Sequence, residues 1–199
     1  MKEKGVIMLK DLIIRNRSVR RFDATRSISK EELFELINLA RLSASAANRQ
    51  PIKYVIAYES DVLDKIFPCI GWAGYLQDWK GPEVSQRPTA YIVMITELQI
   101  APHVNIDPGI AAQSILLGAT EMGLGGCMIG SMNKSKIRRI LNIPSTYEVL
   151  LTIALGKPDE KVVLEEIDKE GDIRYWRDDQ SIHHVPKRKL DDIIINFES

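Results

Sequence analysis

Cysteine and histidine are both scarce in this chain of 199 residues. The two cysteines, Cys69 and Cys127, form no close-spaced ligand pair and no disulfide framework, which favours a reducing compartment. His183 and His184 are adjacent, and neighbouring residues of a strand face opposite sides of a sheet. No cysteine or carboxylate lies at ligand spacing from them, so the sequence predicts no metal site.

An excess of charge is absent as well. Lys and Arg together number 27, as do Asp and Glu, so the net charge is zero. This balance argues against a nucleic-acid-binding protein, which would have a basic surface. The first ten residues lack the apolar run of a signal peptide, and acidic or amide residues interrupt the longest apolar region, 106–129. We expect a cytoplasmic single domain over residues 1–199 that does not cross a membrane.

Two common catalytic signatures are missing. There is no Gly-x-Ser-x-Gly elbow to support serine hydrolysis. The glycine-rich stretch 123–126 follows a predicted helix and precedes a predicted strand, the reverse of the order in a dinucleotide-binding turn. We interpret it as a helix stop. A chain without an evident base or nucleophile suits a protein whose cofactor performs the chemistry.

Apolar periodicity predicts both helices and strands. Residues 29–32 form a capping box that begins a helix, in which Leu33, Ile37 and Ala40 recur at helical spacing. The other predicted elements are helices over 9–15, 107–122 and 133–141, and strands over 52–58, 90–96, 149–156 and a segment ending at Ile129. The 107–122 helix is apolar on nearly every face, which requires burial in the core or against a partner chain, and in a small domain we favour a subunit interface.

Residues 68–88 have no periodicity and contain Trp72, Tyr75 and Trp79. A loop of this length is more often a lid or a binding loop than a simple connection. Two interpretations remain open. The segment is either a lid over a substrate or a surface loop that its own aromatic residues hold against the body.

Two basic clusters stand at opposite ends of the sequence. Near the start, Arg17, Ser18 and Arg20 combine guanidinium forks with a hydroxyl, a set that matches a phosphate. Near the end lie Lys187 and Lys189. A fold that brings the two ends together would create one positive pocket, whereas otherwise each cluster is a separate solvated surface.

Four motifs, in this order and spacing, resemble the nitroreductase family of flavin-dependent oxidoreductases, over nearly the whole chain. They are Arg17-Ser18-Val19-Arg20-x-Phe22, Ala44-Ser45-Ala46-Ala47-Asn48-Arg49-Gln50-Pro51, Gly123-Leu124-Gly125-x-Cys127-x-Ile129-Gly130 and Lys187-x-Lys189. The resemblance implies an α+β fold with a central, mostly antiparallel sheet wrapped by helices. It also implies an intertwined homodimer with two FMN molecules at the interface.

The resemblance assigns roles to the basic residues. Arg17, Ser18 and Lys189 would hold the FMN phosphate, with Lys187 beside them. Arg20 would reach the N1/O2 edge of the flavin ring, where a fixed cation stabilises the negative charge that builds up on reduction.

Further flavin contacts are implied for the other two motifs. Ile129 and Gly130 would offer backbone groups near N5, the atom that accepts hydride. The residues expected to line the flavin from the other subunit are Ala44, Ser45, Ala46 and Asn48.

Two positions depart from the family pattern. Asn16 stands where arginine is usual, so either Arg15 takes its place or the phosphate loses one contact. Lys189 also replaces an arginine, and lysine provides a point charge in place of a fork.

The resemblance implies an FMN-dependent oxidoreductase that takes hydride from NAD(P)H and reduces a flat acceptor, such as a nitroaromatic or a quinone, by a ping-pong mechanism. Trp72, Tyr75 and Trp79 would then form a lid that stacks on the acceptor. A reductive dehalogenase on the same fold and a non-catalytic flavin-binding or sensing module remain as alternatives. No ribose-reading motif can be assigned, so the sequence does not distinguish NADH from NADPH.

Overall fold

The chain has an α+β fold, seen in a computed structural model that describes residues 8–100 and 106–195. Within these ranges the α-helices are α1 (Leu9–Arg15), α2 (Lys30–Leu42), α3 (Ser60–Ile66), α4 (Asp107–Glu121) and α5 (Lys134–Ile140). The strands in the same ranges are β1 (Phe22–Asp23), β2 (Ile52–Ala57), β3 (Ala90–Glu97), β4 (Gly125–Ile129), β5 (Tyr147–Pro158), β6 (Val162–Ile167), β7 (Trp176–Arg177) and β8 (His183–Arg188). The predicted helices and strands are all present, with ends that differ by at most two residues.

The central sheet is built around the long strand β5. Strand β3 pairs with one edge of β5 and β4 with the other, and β2 extends the sheet beyond β3, giving the order β4-β5-β3-β2. The short β1 pairs with the last residues of β5. All of these pairs are antiparallel, which confirms the predicted sheet type. A second, smaller sheet has the order β6-β8-β7, with β6 parallel to β8.

Apolar layers cover both faces of the central sheet. Along β3 the side chains of Ile92 and Met94 join the layer that contains α2 and α4. Their neighbours Tyr91 and Val93 join the opposite layer, because successive side chains of a strand point to opposite faces. Burial on both faces explains why residues 90–95 of this strand are apolar and do not alternate with polar residues.

The capping box at the start of α2 is present as predicted. The Ser29 side chain accepts from the backbone N–H of Glu32, and the Glu32 carboxylate accepts from the backbone N–H of Ser29. Such a cap stabilises a helix by about 1 kcal/mol. None of the described helices combines the length and the apolar character needed to span a bilayer.

Helix α4 is buried mainly by its own chain, and the subunit interface expected along it stays a prediction. Helix α2 packs against α4 so closely that a Cβ built on Gly118 would lie 2.2 Å from Cδ1 of Leu39. Strands β4 and β5 and helix α1 cover further sides of α4. The apolar circumference of α4 is therefore core surface for the most part, and it does not by itself require a partner chain.

Candidate active site

The first basic cluster lies along strand β4. The backbone N–H of Val19 donates to the carbonyl of Gly126 at 3.0 Å, and Ser18 forms a bridge with the same glycine. A Cβ built on the adjacent Gly125 would lie 3.0 Å from Cγ2 of Val19, so a side chain at this position would crowd the segment. The glycine-rich stretch thus does more than stop α4 at Gly123, where φ is +74°: it admits a neighbouring segment. We call residues 16–20 the arginine corner.

A buried carboxylate fixes the main chain of Arg20. The Glu160 side chain, 1% exposed, accepts from the backbone N–H groups of Arg20 and Arg21. It also forms an ion pair with Nη2 of Arg177 at 3.1 Å. Because a buried carboxylate needs donors for its oxygens, these three contacts account for the burial of Glu160.

The guanidinium of Arg20 has no anionic partner among the described residues. Its Nη1 donates to the carbonyl of Ser18 at 3.3 Å and lies 3.4 Å from Nε2 of His183. Burial, with the nearby charges of Arg20 and Arg177, lowers the pKa of His183 to about 4, so this histidine is neutral. The ring of Tyr175 lies 4.9 Å from Cζ of Arg20. The positive charge of Arg20 is therefore available to an external anion.

Arg17 points back toward helix α1. Its Nη2 donates to the carbonyl of Ile13 at 2.6 Å, and burial lowers its pKa. Arg15 and Arg17 both line a cleft of about 340 Å³, whereas Asn16 is buried and its backbone N–H caps α1 through the carbonyl of Leu12. Of the two residues considered for the missing phosphate contact, Arg15 is the one that shares a cleft with Arg17.

The small-residue loop is held by one buried carboxylate at the start of α4. Asp107, 6% exposed, accepts from Oγ of Ser45 at 2.5 Å and from the backbone N–H of Ala46 at 3.1 Å. Ser45 Oγ in turn accepts from the N–H of Gln50 at 3.0 Å. Three loop residues without the freedom of glycine have φ near +50°: Ala47, Asn48 and Gln50. We call residues 43–50 the loop corner, and Ala44 and Ser45 line a cleft of about 290 Å³ there.

The arginine corner and the loop corner lie at diagonally opposite ends of the central sheet. Ser18 adjoins Gly126 of β4, which pairs with Leu155 of β5. The loop corner precedes Ile52 of β2. Through the pairing of both strands with β3, Ile52 lies at the same height in the sheet as Glu148 of β5. Three strand spacings of about 4.8 Å and the strand length from 148 to 155, at about 3.3 Å per residue, give a separation of about 27 Å. One chain does not bring the two corners together.

The second basic cluster is in strand β8 and just after it. Lys187 is exposed and level with Glu166 of β6, while Nζ of Lys189 lies 2.6 Å from Oδ1 of Asp168. Strand β8 starts at His183 beside Arg20, so Lys187 lies about 13 Å further along it. No contact among the described residues joins this cluster to Arg17, and its predicted role at a phosphate stays a prediction.

The end of β4 presents open backbone. Ile129 is 4% exposed and belongs to the core. Gly130 is exposed, and nothing lies within 4 Å of a Cβ built on it. The chain therefore leaves room for a ligand beside this main chain.

The three aromatic residues of the predicted lid divide into two groups. The rings of Trp72 and Trp79 contact each other at 6.4 Å, and Cζ of Arg177 lies 4.2 Å from the ring of Trp79. These two tryptophans hold the segment against the body. Tyr75 is 51% exposed, and its ring lies 4.9 Å from that of Tyr175. Tyr75 is thus the member of the three that a ligand can reach.

Sequence reasoning missed the residues that fix the two corners. They are Asp107, Glu160, Tyr175, Arg177 and His183. Asp107 entered only as an interruption of an apolar run, and His183 only as a weak metal candidate. Their partners are distant in sequence, so no local spacing could have identified them. Among the described residues, no group of three or more His, Cys, Asp or Glu side chains lies close enough to hold a metal ion.

Comparison with known proteins gives a family match over most of the chain. The sequence model of the Nitroreductase family matches residues 13–157. A putative NADH dehydrogenase/NAD(P)H nitroreductase of Archaeoglobus fulgidus is 27% identical over 179 residues, covering 84% of this chain and 95% of the relative. The NADPH-flavin oxidoreductase of Vibrio harveyi is 26% identical over 167 residues, covering 75% of this chain. The match spans 65% of that relative's length, just under two thirds.

Solved structures of the same family have the same fold. A nitroreductase family protein from Clostridium novyi superimposes with a TM-score of 0.64 at 24% identity, over 77% of this chain and 86% of the other. The Vibrio harveyi NADPH:FMN oxidoreductase, solved in complex with NAD+, gives a TM-score of 0.58 at 25% identity, over 76% and 69%. An FMN-dependent nitroreductase from Clostridium difficile gives 0.63 at 24%, over 75% and 87%.

Proposed function

The chain belongs to the nitroreductase family, and on that premise we propose that it is a flavin-dependent oxidoreductase that takes hydride from NAD(P)H. The observation that carries the proposal is the guanidinium of Arg20, which contacts the carbonyl of Ser18, the ring of His183 and the ring of Tyr175 and has no anionic partner among the described residues. A cation that is held in place without an anionic partner favours a ligand on which negative charge develops. The names of the Vibrio harveyi and Archaeoglobus fulgidus relatives support the same activity.

The residues present fit FMN as the cofactor. Arg20 would face the edge of the ring that gains negative charge, and Gly130 leaves space beside the main chain for a flat group. Arg15 and Arg17 line one cleft, whose acidic residue Glu160 is already paired with Arg177, so the two arginines would offer their charge to a phosphate there. FMN, when bound, supplies the ring that accepts hydride. The chain would hold that ring, and Arg20 would stabilise its negative charge.

A homodimer with shared sites would unite the two corners. The about 27 Å between them within one chain supports a site in which Arg20 of one chain faces Asn48 of the other. Exposed apolar side chains also mark two surfaces that a partner would cover. They are Met8, Leu9, Ile13 and Ile14 on and beside α1, and Leu190, Ile193, Ile194 and Ile195 after β8.

The second substrate would be a flat acceptor such as a quinone or a nitroaromatic. Tyr75, half exposed and beside Tyr175, offers a ring on which a flat molecule can stack. A single site next to Arg20 implies that nicotinamide and acceptor occupy it in turn. Initial rates at several concentrations of both substrates should then give the parallel double-reciprocal lines of ping-pong kinetics.

Two measurements test the function. The first compares dissociation constants for FMN and riboflavin, and we expect FMN to bind at least about tenfold more tightly because arginines contact its phosphate. Equal affinities would contradict the phosphate site. The second follows oxidation of NADH or NADPH with an added quinone. Tight FMN binding without turnover would reject the enzyme and favour a flavin-binding or sensing module.

A further inference from the structure

Arg20 is held from three sides by a part of the chain that the family match does not include. The match ends at residue 157, and Glu160, Tyr175 and His183 all follow it. Glu160 accepts from the backbone N–H of Arg20, His183 faces one edge of the guanidinium, and Tyr175 lies over its face. The second sheet and the residues just before its strands therefore form a socket around the one cation that the proposed chemistry needs.

The contact between His183 and Arg20 requires a neutral imidazole. Guanidinium nitrogens only donate, so Nε2 of His183 must accept the N–H of Nη1 across 3.4 Å. The proton of the ring then resides on Nδ1, which is buried and has no hydrogen-bond partner in the part of the chain that the structure describes. Burial and two neighbouring arginines hold the ring neutral at physiological pH. With the proton on Nδ1 and no net charge on the ring, Nε2 of His183 can thus accept a hydrogen bond from Arg20.

The surroundings of His183 keep it in this place. It is 1% exposed, and its strand neighbour across β7 is Arg177, which forms the ion pair with Glu160. The ring of Tyr175 lies 5.1 Å from that of His183 and also contacts Arg20. One packed group therefore holds both the main chain and the side chain of Arg20.

We propose that His183 is a positioning residue that aims the guanidinium of Arg20 at the flavin, so that the second sheet sets the strength of the charge stabilisation. The effect on the flavin rests on the proposed function. The contact between His183 and Arg20 is a property of the folded chain alone. The two parts are tested separately.

His184 provides a matched control in the same strand. Its ring stacks on Trp176 at 4.0 Å with an interplanar angle of 9°. It bonds to Glu165 and, at 3.2 Å, to Asp178, and it has no contact with Arg20. A substitution at His184 therefore perturbs the same sheet without touching the socket.

The first experiment measures the midpoint potential of bound FMN in His183→Leu, His183→Gln and His184→Gln. Without an acceptor, Arg20 is free to turn away, so we expect His183→Leu to weaken the binding of reduced FMN about tenfold more than that of oxidised FMN. For a two-electron couple this lowers the potential by about 30 mV. His183→Gln keeps an acceptor oxygen, so its potential should lie close to that of the wild type. His184→Gln should leave the potential unchanged. An unchanged potential in His183→Leu would overturn the proposal.

The second experiment needs no cofactor. A double-mutant cycle pairs Arg20→Met with His183→Leu and measures denaturant unfolding of the apoprotein. We expect non-additivity of at least about threefold in the unfolding constant, and additivity when Arg20→Met is paired with His184→Leu. Additivity in both cycles would overturn the contact. If the wild type binds no FMN, the proposed function fails, while this cycle still decides whether His183 positions Arg20.

Discussion

The arginine corner and the loop corner are built by different physical means. At the arginine corner, buried charges and a neutral histidine fix the position of Arg20. At the loop corner the main chain itself is bent, with φ near +50° at Ala47 and Asn48, and Asp107 holds the bend. One corner thus presents charge and the other presents backbone and short side chains. Each resembles half of a ligand site.

Helix α4 connects the two corners. Its first residue, Asp107, holds the loop corner, and its end leads through Gly123 into β4, beside the arginine corner. The helix has 15 residues and is about 22 Å long. It keeps the two corners apart as a rigid spacer, and under the shared-site proposal a second chain would supply the opposite corner.

The largest expected effect comes from mixing chains with opposite defects. Arg20→Ala removes the fixed cation, and Asn48→Ala alters the loop corner. We expect Arg20→Ala to lower turnover about 10²-fold, as loss of a charge-stabilising group commonly does. A dimer of one Arg20→Ala chain and one Asn48→Ala chain should recover one intact site, and thus about half of the wild-type activity, if sites are shared.

The test co-expresses the two variants with different tags and measures FMN content and turnover of the isolated heterodimer. The two mutant homodimers are the controls, because both sites of each carry a defect. Activity no higher than the mean of the homodimers would reject the shared site. Sedimentation of the wild type as a 22.5 kDa species would reject the dimer.

A second prediction removes the carboxylate that holds the loop corner. Asp107→Ala leaves the hydroxyl of Ser45 and the N–H of Ala46 without their acceptor, so we expect a loss of about 2–5 kcal/mol in the free energy of unfolding. Urea unfolding measures it. Asp61→Ala is the control, since that carboxylate forms an exposed pair with Lys65 and should matter by less than about 0.5 kcal/mol. Equal losses in both variants would show that Asp107 does not hold the loop.

A third prediction separates the two arginines of the arginine corner. Arg17→Ala should weaken FMN retention about tenfold, because its proposed partner is the phosphate. Arg20→Ala should weaken the binding of reduced FMN more than that of oxidised FMN, since its proposed role appears as the ring gains charge. The midpoint potential of the bound flavin should therefore fall. Titration with FMN and redox titration of both variants measure this. An unchanged potential in Arg20→Ala would show that this residue is not at the N1/O2 edge.

A fourth prediction concerns acid stability. The pKa of His183 is about 4 in the folded chain, against 6.5 for an ordinary histidine. As pH falls from about 6.5 to 4, His183 binds a proton in the unfolded chain but not in the folded chain, so the free energy of unfolding decreases. His183→Gln should lose this part of the pH dependence, which urea midpoints between pH 4 and pH 7 would measure. Curves of the same slope in both proteins would contradict it.

His184 should behave in the opposite sense. Its partial burial lowers its pKa, but hydrogen bonds to Glu165 and Asp178 outweigh that effect and raise it. The folded chain therefore binds a proton more tightly than the unfolded chain, and this stabilisation is present at low pH and is lost as pH rises through the raised pKa. His184→Gln should accordingly lack the stability that the wild type gains as pH falls through the raised pKa toward 6.5, which urea midpoints between pH 6 and pH 9 would measure.

Local rules predicted most of the central fold. The capping box at Ser29, the apolar strand β3 and the glycine stop at Gly123 each depend on neighbours in sequence, and all are present. The close fit of Val19 against Gly126 and the burial of Glu160 depend on contacts between distant segments. Spacing along a chain does not encode such contacts, so the supports of the arginine corner emerged only from the structure.

The diagonal placement of the corners has a genetic consequence under the shared-site proposal. Alleles that damage the arginine corner and alleles that damage the loop corner should form two complementation classes. Within a class, two defective alleles leave every assembled site incomplete. Across classes, some assemblies regain one sound site, so a strain with one allele of each class should outperform either parent. The positions of the two corners in one sheet would thus determine which pairs of alleles complement each other.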